Sequence, residues 1–306
     1  MSYDVVILGV FVADTAYRAP RLPKMGETML GTSFTLGPGG KGSNQAVAAG
    51  MAGAKVGMIT KLGSDPFADM AQATWARAQV SPLVTQVPGG QTGAAFIYVD
   101  DATGDNAIII CPGVAASLSA ADVDAQNAAI ADATVVMTQL EQPQDAAQQL
   151  LARGRAAGAV TILNPAPAAE LPAEMIALCD YITPNESEAA ALVGFAVETT
   201  DDAVKAAEAL MARGAGAAVI TLGAQGCVFH DGTTPQHIPA LSAGPVVETT
   251  GAGDAFNGGF AAALAEGLAP AEAVRFGNAT AAISVTRAGT APAMPRRAEI
   301  DALLAT

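Results

Sequence analysis

The chain has 306 residues, 51% of them hydrophobic and 14% charged, and a formal net charge of −14 at pH 7. That length can bury one large core or two small ones, and the negative charge argues against nucleic acid or an anionic membrane surface as a partner. The three cysteines (Cys111, Cys179, Cys227) are too scattered for a disulfide framework or a zinc site, and two histidines (His230, His237) cannot build a histidine metal cluster.

In chain order, the first strand spans Val5–Gly9, with no basic n-region or signal-type apolar segment before it. No apolar run reaches the roughly 18 residues of a membrane span, so a cytoplasmic protein is expected. Residues 11–38 read as a β-hairpin-like stretch turning at Met25-Gly26. Asp14 reads as the end of the first strand, at the carboxyl edge where open α/β sheets bind ligands. A carboxylate there can grip a sugar diol or simply close a turn. Gly37-Pro-Gly-Gly-Lys-Gly-Ser-Asn44 formally contains G-x-G-x-x-G, but it lies far beyond the first strand, and Ser43 stands where a Walker lysine would be. It reads better as a Gly-rich turn opening a helix over Gly42–Met51. Its N–H groups, Lys41 and Asn44 could face a polyhydroxylated ligand, or the glycines could serve the turn alone.

Further along come a strand (Lys55–Thr60), a helix (Pro66–Ala78) and a second hairpin-like stretch over 89–111. Both hairpins would leave the main sheet and could pair as a small β-sheet lid. Strands at Val135–Gln139, Val160–Asn164, Tyr181–Pro184 and Ala217–Leu222 then alternate with helices at Pro143–Ala157, Glu186–Val193, Asp201–Arg213 and Pro270–Val285. Continuous apolar strands alternating with helices predict an α/β fold with a mostly parallel sheet covered on both faces, here as one domain over 1–306. Glu141 follows its strand at the same edge as Asp14. Asn185 with Glu188 fits a capping box, and equally a pair near Mg²⁺ and phosphate. Thr221, Leu222, Gly223, Ala224, Gln225 and Gly226 could run along a nucleotide or make a hairpin.

The most informative stretch is Thr249-Thr-Gly-Ala-Gly-Asp-Ala-Phe-Asn-Gly-Gly259. A strand-like run (Pro245 to Thr250) breaks at Gly251 and an apolar helical run (Ala255 to Leu264) follows. Gly251, Ala252 and Gly253 thus fall where a helix begins, with free N–H groups and the positive end of the helix dipole, a natural phosphate cradle. Asp254, in the first turn, would repel that phosphate unless it takes a proton from an attacking alcohol. The plainer alternative is an acidic cap on a Gly-rich turn.

These pieces together resemble the ribokinase family of carbohydrate kinases. The resemblance runs over essentially the whole chain through Gly39-Gly-Lys-Gly-Ser-Asn-Gln-Ala-Val-Ala-Ala-Gly50, Asn164-Pro-Ala-Pro167, Thr183-Pro-Asn-Glu-Ser-Glu188, Thr221-Leu-Gly223 and Thr250-Gly-Ala-Gly-Asp254. It implies a three-layer α/β/α domain with a β-lid that serves as a homodimer interface. It further implies ATP-dependent phosphorylation of a pentose CH₂OH, ribose first and 2-deoxyribose second, with Mg²⁺ and a candidate role for K⁺. A nucleoside or hexose kinase and a non-catalytic sugar sensor are the alternatives. By the same resemblance Asp254 is the base and Gly251, Ala252 and Gly253 the anion hole. Asp14, Gly40, Lys41, Asn44 and Glu141 match sugar-binding positions. Asn185, Thr221 to Gly226, Gly253 and Asn278 match ATP-site positions, and Glu188 matches the glutamate that organises Mg²⁺.

Three positions depart from the pattern. Ribose-phosphorylating members typically carry Asn two residues before the sugar-binding Asp, and this chain has Val12. Glu248 replaces an Asp that ligates the activating monovalent cation, and Ala293 a serine of the same site. Thr250, Ser284, Arg287 and Gly289 would supply main-chain carbonyls there.

Overall fold

The first strand, β1 (Val5–Leu8), is wholly buried, with Val5 and Ile7 in one apolar cluster and Val6 and Leu8 in another. A strand apolar on both faces must be covered on both, and the rest of the fold follows from that. Twelve strands come after it: β2 (Val12–Ala19), β3 (Ser33–Gly39), β4 (Val56–Leu62), β5 (Val80–Gln86), β6 (Thr92–Asp100), β7 (Asn106–Gly113), β8 (Val135–Thr138), β9 (Val160–Leu163), β10 (Tyr181–Ile182), β11 (Ala217–Thr221), β12 (Cys227–His230) and β13 (Gln236–Ile238). In the computed structural model, which describes residues 2–306, nine of the thirteen strands form one sheet in the order β13-β12-β11-β10-β9-β8-β1-β4-β5. Neighbours from β11 to β5 are parallel, while β12 and β13 return antiparallel at one edge.

The helices are α1 (Lys41–Met51), α2 (Pro66–Arg77), α3 (Ala120–Asp124), α4 (Asn127–Ala131), α5 (Gln144–Ala157), α6 (Ala173–Ile176), α7 (Glu186–Val193), α8 (Thr200–Ala212), α9 (Ala252–Glu266), α10 (Pro270–Ser284) and α11 (Arg297–Leu304). On one face α1, α2, α9, α10 and α11 bury Trp75, Phe256, Phe260 and Phe276 against Val5, Ile7 and Met58. On the other, α3 to α8 cover Val6, Leu8, Val136, Leu163 and Ile220. The expected α/β/α sandwich is therefore observed.

The remaining strands form a four-stranded sheet in the order β3-β2-β6-β7, built from the two hairpin-like stretches. Its hairpins β2–β3 and β6–β7 are joined by parallel pairing of β2 with β6. Residues opposite one another share a face, so Gly37, Asp14, Ala95 and Ile110 lie on one side and Leu36, Thr15, Phe96 and Ile109 on the other.

Two features of the main sheet differ from the sequence reading. Strands β5, β12 and β13 were not expected; β12 and β13 are short, and β5 starts straight after the α2 turn. The run from Pro245 to Thr250 is irregular and belongs to neither sheet. The N–H groups of Val247 and Glu248 both reach the Val285 carbonyl, just after α10, instead of a strand.

Candidate active site

Two helix N-termini, those of α1 and α9, converge on a cleft at the carboxyl ends of β9, β10 and β11. Helix α1 begins at Gly40, whose φ of 88° suits glycine and whose Cβ, if present, would lie 2.6 Å from the Val10 carbonyl. A Cβ at Gly39 would fall 2.1 Å from Asp14 Oδ2, so this glycine lets the Asp14 carboxylate close on the turn. Helix α9 packs against α1 and α10 through its two consecutive glycines. A Cβ at Gly258 would sit 2.5 Å from both the Gln45 carbonyl oxygen and Ala48 Cβ, and one at Gly259 would sit 2.3 Å from Thr280 Oγ1. This close approach brings residues 44 and 45 of α1 against Asp254.

Asp254 is 7% exposed, and both its carboxylate oxygens are held by amides. Asn44 Nδ2 donates to Oδ2 at 3.0 Å and Gln45 Nε2 to Oδ1 at 3.1 Å. Burial raises the Asp254 pKa, with the Lys41 ammonium and the two amides pulling it back. Burial also pushes Asp14 up to about 6, helped by the charge of Asp254. Glu141 rises to about 7 for the same first reason, tempered by the Lys41 N–H that donates to it at 2.8 Å. Three carboxylates, those of Glu141, Glu188 and Asp254, thus share the field of Lys41, while Asp14 feels the charge of Asp254.

The cleft beside Asp254 has a volume of about 150 Å³ and is lined by Lys41, Asn185, Glu188, Thr221, Thr249 and residues 251–254, among others. Gly251 caps α9 with φ 79°, a left-handed conformation that favours glycine. The Ala252 N–H turns back to the Thr249 carbonyl at 3.1 Å, while Gly251, Gly253 and Asp254 find no main-chain acceptor. Free N–H groups thus remain at Gly251, Gly253 and Asp254, while Ala252, which also lines the cleft, has its own N–H engaged in the turn. Nothing lies within 4 Å of a Cβ built on Gly253, which leaves space for a ligand against the main chain.

The alternatives for Asn185 and Glu188 turn out to be compatible. Asn185 Oδ1 accepts the Glu188 N–H and a Glu188 oxygen accepts the Asn185 N–H, each at 2.9 Å, and both residues line the cleft. A buried carboxylate oxygen next to a carboxamide is a donor set suited to a hydrated Mg²⁺. Among the described residues no three His, Cys, Asp or Glu side chains cluster closely enough to cage a metal.

The other expected site residues lie on β2, around the end of β11 and on α10. Asp14 is the third residue of β2 in the small sheet, not the end of the first strand; the chain passes Gly9 without stopping and pairs anew at Val12. Val12 is 3% exposed and packs in the apolar cluster with Val10, Ala115 and Leu118, on the same strand side as Asp14. Thr221 ends β11 and lines the cleft; Leu222 is core, and Gly223 to Gln225 form a one-turn 3₁₀ helix leading into β12. The Asn278 amide is spent on the Ile238 and Pro239 carbonyls at 3.3 and 3.4 Å, away from Asp254.

The residues expected around a monovalent cation do come together, where the 247–250 segment meets the loop after α10. Their side chains, however, do not present a ligand sphere. Glu248 Oε2 accepts the Gly289 N–H at 2.8 Å, Ser284 turns back onto the Ala281 carbonyl, Arg287 pairs with Glu299, and Ala293 is a buried methyl. Main-chain carbonyls, the second oxygen of Glu248 and the Thr250 hydroxyl remain for K⁺.

The sequence reading assigned no role to Gln45, Gln139, Asn164, Thr183 or Asn257, yet these form a buried polar chain behind Asp254. The signal for them was present: Gln139 ends an otherwise apolar strand, and Asn257 interrupts an apolar helix.

Comparison with known proteins agrees with this geometry. The family described as pfkB family carbohydrate kinase matches residues 3–297. The chain is 38% identical over 300 residues to a ribokinase of Haemophilus influenzae, covering 98% of this chain and 97% of that protein. It is 34% identical over 294 residues to a deoxyribokinase of Salmonella typhi, covering 95% of each. The fold is similar to that of Arabidopsis thaliana ribokinase complexed with ribose and ATP, with a TM-score of 0.94, 29% identity and full coverage of both chains.

Proposed function

Because this chain belongs to the pfkB family of carbohydrate kinases, we propose that it transfers the γ-phosphoryl group of ATP to the CH₂OH of a pentose, giving ribose 5-phosphate from D-ribose. The observation that carries the mechanism is the buried Asp254 carboxylate, held by two amides at the N-terminus of α9. It accepts the hydroxyl proton as the sugar oxygen attacks phosphorus. The α9 terminus, through Gly251 and Gly253, and Lys41 attract the phosphate as charge gathers on it. Asp14, Glu141 and Asn44 hold the sugar, together with the main chain at Gly40. Asn44 Oδ1 is buried without a hydrogen-bond partner, the state expected of an acceptor reserved for a ligand hydroxyl.

The nucleotide is assigned to the cleft from Asn185 and Thr221 along the Gly223–Gly226 turn. Asn185 and Glu188 would hold Mg²⁺ through water; when bound, it supplies charge neutralisation across the phosphates. A K⁺ activator would rest on the main chain, Glu248 and Thr250, and no step is assigned to it.

A second substrate reading rests on Val12. An apolar side chain cannot pair a ribose hydroxyl, and leaving one buried and unpaired costs about 1–3 kcal/mol, so 2-deoxyribose remains a competing substrate. Among the described residues no helix is long and apolar enough to cross a membrane, which accords with a cytoplasmic enzyme. The small sheet is assigned as lid and as the interface of a homodimer.

A coupled ADP-release screen against ribose, 2-deoxyribose, fructose, tagatose and nucleosides tests the assignment. The highest kcat/KM should fall on ribose or 2-deoxyribose. A clear preference for a hexose or a nucleoside would refute it, and no turnover on any of them would favour a sensor.

A further inference from the structure

We infer that Gln45 is a positioning residue for the phosphoryl transfer, fixing the rear oxygen of the Asp254 carboxylate so that the other oxygen faces the sugar. This inference rests on Asp254 being the base. The carboxylate has two distinct sides. Oδ2 meets Asn44, whose own Oδ1 is unpartnered and open to a ligand. Oδ1 meets only Gln45, which is fully buried on α1.

Gln45 cannot turn its amide over. Its Nε2 donates both to Asp254 Oδ1 and to Asn164 Oδ1 at 3.1 Å, and its Oε1 accepts Gln139 Nε2 at 2.5 Å. Flipping would set an acceptor against the carboxylate and a donor against another donor. Gln139 is itself wedged between glycines, since a Cβ at Gly9 or Gly42 would come within 2.5 or 2.9 Å of its Oε1. From Asn164 the chain continues to the Thr183 carbonyl, from the Thr183 hydroxyl to Asn257, and from Asn257 Nδ2 to the Gly253 carbonyl at 2.9 Å. One buried polar chain therefore connects the carboxylate with the main chain of the α9 terminus, which is to receive phosphate.

The choice of an amide has a chemical reason. A lysine or arginine behind Asp254 would pair with it and lower its basicity. An amide is neutral at every pH, orients the carboxylate and leaves it able to take a proton. The groups facing this carboxylate are then Lys41, Asn44 and Gln45 from α1, with the charges of Asp14, Glu141 and Glu188 nearby.

Gln45→Met keeps nearly the same volume and removes both donors and the acceptor. A lost hydrogen bond to a charged group predicts a fall in kcat of roughly 10–100-fold, with the KM values for sugar and ATP within about twofold of wild type because no sugar or nucleotide contact is removed. In an Asp254→Asn background the same change should cause no further loss, since its effect runs through the base. Should Gln45→Met fail to fold, Gln139→Met, which does not touch Asp254, frees the Gln45 amide and should lower kcat with KM unchanged. Full kcat in either folded variant, a rise in KM without loss of kcat, or additive losses in the double variant would overturn the inference. Asp254→Asn measured alone separates the two readings: if it stays active, the base assignment has failed and not the role of Gln45 alone.

Discussion

At the level of single residues, the site depends on carboxylates held away from water. Burial raises Asp14 to about 6 and Glu141 to about 7, so each takes up a proton as pH falls through those values. A protonated carboxyl accepts hydroxyl protons less well, and sugar binding should weaken in that direction. With both groups required, kcat/KM for the sugar should drop roughly 100-fold from about pH 8 to about pH 5.5, in apparent steps that belong to the cluster as a whole. A flat profile over that range would show that neither group must be ionised. Val12 makes a separate prediction. It shares a strand side with Asp14 and packs toward β6, where a Cβ at Gly93 would meet its Cγ1 at 2.8 Å. Val12→Asn should shift the ribose to 2-deoxyribose ratio of kcat/KM toward ribose, by about 5–100-fold if the amide pairs the extra hydroxyl. An unchanged ratio would place this side chain wholly in the core and away from the sugar.

At the level of elements, the main sheet was legible because its strands are apolar on both faces and separated by capped helices. Asn185 caps α7 as the capping-box reading expects, and Asp65 and Thr199 do the same for α2 and α8. Other features were not legible. Asp14 seemed to end the first strand because nothing local marks the crossing from β1 into a second sheet. Pro245–Thr250, with its β-branched Val and Thr residues, reads like a strand, but strand identity requires a partner edge, which a sequence does not display. The tight α1–α9 packing depends on Gly258 and Gly259, whose meaning appears only when the opposing atoms are known. The small sheet was readable as two hairpins, and its outer side carries a prediction. Tyr17, Phe34, Leu36, Phe96 and Ile109 are all at least 39% exposed there, and the Tyr17 ring packs at a tilt against Phe34 and Phe96, at centroid distances of 4.9 and 5.5 Å. A self-complementary apolar face of this kind suits a two-fold dimer. Analytical ultracentrifugation should find a dimer that Phe34→Asp converts to monomer. A wild-type monomer at micromolar concentration would remove the lid from that role.

At the level of the whole molecule, an acidic chain assembles a phosphate site by geometry more than by net charge. The sheet brings the ends of β8, β9, β10 and β11 to one edge, and the lid sets Asp14 above them. The α1–α9 contact lays two amides on Asp254, while Lys41 and the free N–H groups of the α9 terminus supply the positive field. Phosphorus NMR of ATP and ribose with wild-type enzyme and with Asp254→Asn tests this account most directly. The wild type should accumulate a sugar phosphomonoester. The variant should form it at least about 10²-fold more slowly while still binding both substrates, since Asn keeps the shape but cannot accept the proton. Formation of the same product by Asp254→Asn at a near wild-type rate would contradict the account.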